Sequence, residues 1–211
     1  GASPALVMAL TSAFRPGDVI AMARPGYVAY RNNCHALGMI VQEIACGPES
    51  RYQITAAHLA ALDPAPAGVI IASPANPTGT VIPADEMAAI ARVCAERGIR
   101  IVSDEIYHGL SFVGPVASAL EYAPDAIVVN SFSKYFSMVG WRLGWLVAPE
   151  DLIDSARARM GNLFLTAPTL SQHAGLVAMD CVDELEGHIA RYAANRQLML
   201  DALPAMGLTK I

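Results

Sequence analysis

Six short apolar runs recur along this chain with helical patterns between them, and that alternation restricts the fold more than any other feature. The runs are VIAMA (19–23), MIVQEI (39–44), GVIIAS (68–73), IRIVSD (99–104), AIVVNS (126–131) and RLGWLVA (142–148). Each is brief and almost continuously apolar, as a strand covered on both faces should be. The intervening stretches carry helix signals. Ser3 reads as an N-cap with Pro4 at the first helical position, and Leu6, Leu10 and Phe14 follow on one face. Pro83 opens a second helix whose first turn holds Asp85 and Glu86, where the helix dipole favours acids. Met87, Ile90, Ala91 and Cys94 form its stripe, and Arg97-Gly98 closes it. Leu152, Ile153, Ala156 and Met160 mark a third helix. Residues 168–202 read as a long helical segment broken near Asp180. Strand–helix alternation of this kind predicts an α/β fold with a mostly parallel central sheet.

Composition narrows the function classes. The 211 residues suit one domain, and at 54% hydrophobic and 16% charged they can build a large core. A net charge of −5 offers no basic patch, so nucleic acid is not an expected partner. Cys34, Cys46, Cys94 and Cys181 form no CxxC pair, which argues against a disulfide framework or zinc site and for a reducing compartment. His35, His58, His108, His173 and His188 lack metal-ligand spacing, so no metal is expected; His108 reads as a solvated loop residue. No run has transmembrane length and no leader pattern opens the chain. A cytoplasmic protein without membrane contact is the expectation.

Four loops follow strand ends, where open α/β sheets bind ligands: RPGY (24–27), SPANPTGT (73–80), SDEIYHGL (103–110) and SFSKYFS (131–137). The last contains Lys134, with Arg142 eight residues on. A desolvated lysine amine forms Schiff bases, and an arginine fork holds phosphate. That pairing is what pyridoxal phosphate chemistry needs. Taken singly, these residues have blander readings. Asp104 could cap its turn, Tyr107 could pack on the sheet and Asn76 could be a turn residue. Tyr27 could cover the sheet end, and Arg142 could be an ion-pair partner. Tyr30 reads as packing.

Taken together, NPTG (76–79), DEIY (104–107) and SFSKYFSMVGWR (131–142) resemble the class I/II aminotransferases of fold type I, over nearly the whole chain. The resemblance implies a three-layer α/β/α large domain that binds pyridoxal 5'-phosphate. It implies that Lys134 forms the Schiff base and acts as the base, that Asp104 pairs with the cofactor's pyridine nitrogen, and that Tyr107 and Asn76 donate to its phenolic oxygen. Ser131, Ser133, Arg142 and the Ala2-Ser3 helix start would bind the phosphate, and Tyr27 would stack on the ring. The implied activity is amino transfer between an amino acid and a 2-oxo acid. A β/γ-lyase on the same fold and a non-catalytic regulatory module stay open. The resemblance further implies a homodimer. On this reading residues 1–180 form the cofactor-binding domain without its N-terminal arm. Residues 181–211 form a connector into a small C-terminal domain that would carry the arginine for the substrate carboxylate. The closing ALPAMGLTKI reads as the start of a further strand.

Overall fold

Side chains of a strand alternate between its two faces, so the inner apolar runs feed two separate cores. The computed structural model describes residues 1–208. Its strands are β1 (Val19–Arg24), β2 (Ile40–Ala45), β3 (Gly68–Ala72), β4 (Arg100–Asp104), β5 (Ile127–Ser131) and β6 (Gly144–Val147). They form one sheet in the order β2-β1-β3-β4-β5-β6. The first five are mutually parallel, and β6 runs antiparallel to β5 with Ser131 opposite Gly144.

Helices α1 (Ala2–Ala13) and α2 (Val28–Ala36) cover one face, where Leu6, Leu10, Phe14, Tyr30 and Cys34 meet Ile20, Met22, Ile70, Val102, Ile127 and Val129. Helices α3 (Ala56–Ala60) and α4 (Ala84–Arg97) cover the other, where Leu59, Met87, Ile90 and Cys94 meet Ala21, Val69, Ile71 and Ile101. The fold is therefore the expected three-layer α/β/α arrangement. The buried thiols belong to these cores, and desolvation pushes Cys34 up to about 11 and Cys94 up to about 12.

Several expectations need correction. α1 begins at Ala2 with Gly1 in the cap position, and no side chain caps it. The Gly1 nitrogen lies 2.8 Å from the Arg142 carbonyl oxygen, and Ser3 falls inside the first turn. The outer strands are not covered on both faces, since Ile40 in β2 is 55% exposed and Val147 in β6 is 38% exposed. α2 and α3 are helices beyond those that the sequence pattern predicts. The C-terminal region follows expectation more closely. α5 (Glu150–Arg159) runs on into a π-helical turn at Met160–Phe164, and α6 (Thr169–Ala178) is separated from α7 (Val182–Ala202) by a break at residues 179–181. Leu203–Met206 is a 3₁₀ turn rather than strand. The last three positions of the expected strand, 209–211, lie outside the described residues.

Among the described residues, no helix is long and apolar enough to cross a membrane. Among them, too, no His/Cys/Asp/Glu group is arranged to hold a metal ion.

Candidate active site

Parallel strands send their carboxyl ends to one edge of the sheet, so the loops after β1, β3, β4 and β5 converge there. They enclose a cavity of about 350 Å³ lined by Ala2, Ser3, Tyr27, Asn76, Asp104, Tyr107, Ser133, Lys134 and Arg142, with Tyr30 and Asn33 of α2. Nine of the ten residues singled out from the sequence are on this wall.

One end of the cavity gathers groups that can donate hydrogen bonds to an anion. α1 runs antiparallel to the strands it covers, which brings its N-terminus to the same edge. Its first backbone N–H groups have no partner within the helix. Ser133 and Arg142 stand beside it. A Cβ on Gly1 would lie 3.0 Å from Arg142 Nη2, so the absence of a side chain lets the guanidinium approach the helix start. Arg142 itself has a left-handed backbone (φ 53°), and its Nη1 donates to the Val139 carbonyl at 2.9 Å.

Ser131 is the exception among the ten. It is 1% exposed and lies behind Ser133 rather than on the wall. Its hydroxyl oxygen is 2.8 Å from Ser133 Oγ and 2.9 Å from the Leu143 carbonyl, and it accepts from the Ser133 N–H at 3.0 Å. It ties the turn before Lys134 to β6.

The far end holds Asp104, 8% exposed. Its Oδ1 accepts from the Ile106 N–H at 3.1 Å and its Oδ2 accepts from the Tyr30 hydroxyl at 2.6 Å. Burial raises the carboxyl above the usual aspartate range, and nearby Glu105 adds to this; the Tyr30 and Ile106 hydrogen bonds and His108 oppose it. His108 is not the solvated loop residue expected. Its side chain is 22% exposed, with Nδ1 3.5 Å from Glu105 Oε2. Glu105 in turn is buried and accepts from Ser103 Oγ, Ser118 Oγ and the Ala119 N–H through Oε1. This carboxylate pins the loop that follows Asp104.

On the same wall, Lys134 Nζ lies 5.4 Å from the Tyr107 ring centroid. Asn76 sits on a loop that Gln53 holds from beneath. The Gln53 amide donates to the Ala72 carbonyl at 3.2 Å and to the Thr80 carbonyl at 2.8 Å. The loops after β4 and β5 interlock at Gly109, where a Cβ would come 2.4 Å from the Tyr135 ring and φ is +86°. Any side chain at 109 would displace the residue next to Lys134.

Tyr30 and Asn33 line the cavity beyond the residues that the sequence motifs single out, and Gln53 supports it from beneath the Asn76 loop. Tyr27, Tyr30 and Asn33 recur at spacing three, which sets them on one face of a helix. That signal was present. Gln53, remote from every loop in question, left none.

The residue pattern has known counterparts. A family model described as aminotransferase class I and II matches residues 1–211. The chain is 47% identical over 215 residues to valine–pyruvate aminotransferase of Mycobacterium tuberculosis, covering 100% of this chain and 55% of that protein. It is 32% identical over 218 residues to an aspartate/prephenate aminotransferase of Thermus thermophilus, covering 100% and 56%. Among solved structures, an aminotransferase from M. tuberculosis superposes with a TM-score of 0.96 at 48% identity, over 98% of this chain and 55% of that one. The T. thermophilus aspartate aminotransferase with maleate gives a TM-score of 0.91 at 29% identity, over 98% and 56%. The chain thus spans a little over half the length of the relatives it matches.

Proposed function

This chain belongs to the class I and II aminotransferase family, and we propose that its cavity holds pyridoxal 5'-phosphate for amino transfer between an amino acid and a 2-oxo acid. The observation that carries this reading is the gathering, in one cavity, of donors that can cradle an anion, a buried acid and a lysine. The donor set suits the group. The N–H groups of α1, the Ser133 hydroxyl and the Arg142 fork would take the phosphate. Asn76 and Tyr107 would donate to the phenolic oxygen. Asp104 would accept from the protonated ring nitrogen, and Tyr27 would cover a ring face.

When bound, pyridoxal phosphate supplies an aldehyde that takes up the amino group and a ring that draws electrons from the substrate's Cα. The chain's residues do the rest. Lys134 would be the residue that holds the cofactor's aldehyde carbon, and its free amine would be the base that moves a proton to and from the substrate's Cα. Asp104 would hold a proton on the ring nitrogen, because a buried carboxylate favours a cation beside it. Ser131 acts through Ser133, by fixing the turn that presents the hydroxyl and the lysine.

The 47% relative is named for valine and pyruvate, and we take an aliphatic amino acid with pyruvate as the first pair to assay. Residues 1–180 form the cofactor domain on this reading and 181–211 a connector, which the break at 179–181 and the single buried residue of α7, Leu185, support. A homodimer is part of the proposal. Exposed Leu163, Leu165, Leu170, Leu176 and Val177 give an apolar surface of the sort that partners cover. Light scattering on the eluting protein tests it, and a monomer at micromolar concentration counts against it.

Addition of pyridoxal phosphate to the protein should produce a visible absorption band that borohydride removes. Lys134→Ala should lose the covalent band. Identical spectra from the two proteins would sink the assignment.

A further inference from the structure

A buried phenol costs free energy unless its hydroxyl finds a partner, and Tyr30, 6% exposed, has found the acid of the candidate site. We propose that Tyr30 is a positioning residue that fixes the Asp104 carboxylate and keeps it charged as an acceptor for a cationic ring. The proposal deepens the cofactor reading above and rests on it for the identity of that ring.

The two side chains are 74 positions apart in sequence, and their contact joins α2 to the end of β4. The Oη to Oδ2 distance of 2.6 Å lies in the range of a charge-assisted bond from a hydroxyl to a carboxylate. With the Ile106 N–H on Oδ1 at 3.1 Å, each carboxylate oxygen has one donor. Two donors on two oxygens stop rotation about the last side-chain bond. They leave the remaining lone pairs for the cavity. The bond is shielded from water, so little competes with it. Tyr30 has a second contact in the site. Its ring meets Tyr27 edge to face at 5.4 Å and 87°. One side chain therefore supports both an aromatic wall and the acid.

A purely packing role would be met by phenylalanine, which keeps the ring and the Tyr27 contact and loses only the donor. The other charged or titratable groups around Asp104 are Glu105, Tyr107 and His108 on its own loop, Tyr27 beside Tyr30, and Lys134 and Arg142 on the cavity wall. None of these is hydrogen-bonded to the carboxylate. Removal of the Tyr30 hydroxyl therefore leaves burial and Glu105 less opposed, and the carboxyl should titrate at higher pH.

The test is the titration of Asp104 in cofactor-free protein, followed by carboxyl-carbon NMR of aspartate-labelled samples and assigned with Asp104→Asn. Tyr30→Phe should raise the titration midpoint by about one to two pH units. It should weaken pyridoxal phosphate binding about tenfold in the wild-type background and leave affinity unchanged in Asp104→Asn. An unmoved midpoint, or an equal loss of affinity in both backgrounds, overturns the proposal. A moved midpoint in a protein that takes up no pyridoxal phosphate sinks the cofactor reading and leaves the Tyr30–Asp104 coupling standing. If Tyr30→Phe does not fold, the phenol is read instead. One tyrosine should ionise well above the others in the wild type and fall back toward the ordinary range in Asp104→Asn. An unchanged phenol titration then overturns the proposal.

Discussion

The two ends of the cavity are built on opposite principles. At the cradle end Ser3 and Arg142 are exposed, and the donors are backbone groups, the Ser133 hydroxyl and one guanidinium fork. At the acid end Asp104 is 8% exposed and braced by Tyr30 and the Ile106 N–H. An exposed cradle works through charges that salt screens. A buried acid works through a small number of fixed contacts in low dielectric. The first suits capture of an anion, and the second suits holding a proton at one atom during chemistry.

That contrast sets the order of the expected effects. Asp104→Asn should lower kcat by roughly 10²–10³-fold, the scale of losing a buried electrostatic stabiliser. It should leave the cofactor attached, which borohydride reduction would check. Arg142→Ala should instead weaken cofactor affinity about 10- to 100-fold, and excess cofactor should restore the rate. The salt dependence of binding should flatten in the same variant. A kcat loss in Arg142→Ala that cofactor cannot restore would break the division between the two ends.

Stability should show the acid end's cost. The Asp104 carboxyl is raised in the fold, so between the ordinary aspartate pKa and the raised one the folded state binds more protons than the unfolded. The carboxyl's contribution to stability therefore falls as pH rises through that window. Asparagine removes this penalty, and its amide can donate to Tyr30 while its carbonyl accepts from Ile106. Cofactor-free Asp104→Asn should melt no lower than wild type at neutral pH, with a flatter pH dependence. Ser3→Ala should have the smallest effect, within about 0.5 kcal/mol in stability and cofactor affinity. No side-chain bond of Ser3 caps α1, and the variant keeps the backbone N–H.

The same contrast governs what could be read in the sequence. β1, β3, β4 and β5 are legible because each has a buried apolar centre, with polar residues only toward its ends. β6 has a similar composition yet runs antiparallel at the edge, because composition says nothing of direction. α2 escaped notice because Arg31, Asn32 and Asn33 interrupt any apolar stripe, leaving Tyr30 and Cys34 as its buried residues. The site's loops were legible through turn residues and paired motifs. Tyr30 was read as packing because a tyrosine usually packs, and only the fold brings its hydroxyl to Asp104. Ser131 lies behind the cavity wall because it is still within β5, where its hydroxyl is taken up by Ser133 and the Leu143 carbonyl.

Lys134 stands on the wall of the same cavity, and the most direct measurement concerns it. Lys134 and Lys210 are the two lysines of the sequence, so the chain carries its own control. The protein is loaded with pyridoxal phosphate, reduced with borohydride, digested and mapped by mass spectrometry. The account predicts a pyridoxyl group on the peptide that contains Lys134 and none on the peptide that contains Lys210. Equal labelling of both lysines, or labelling that Lys134→Ala does not abolish, would contradict it.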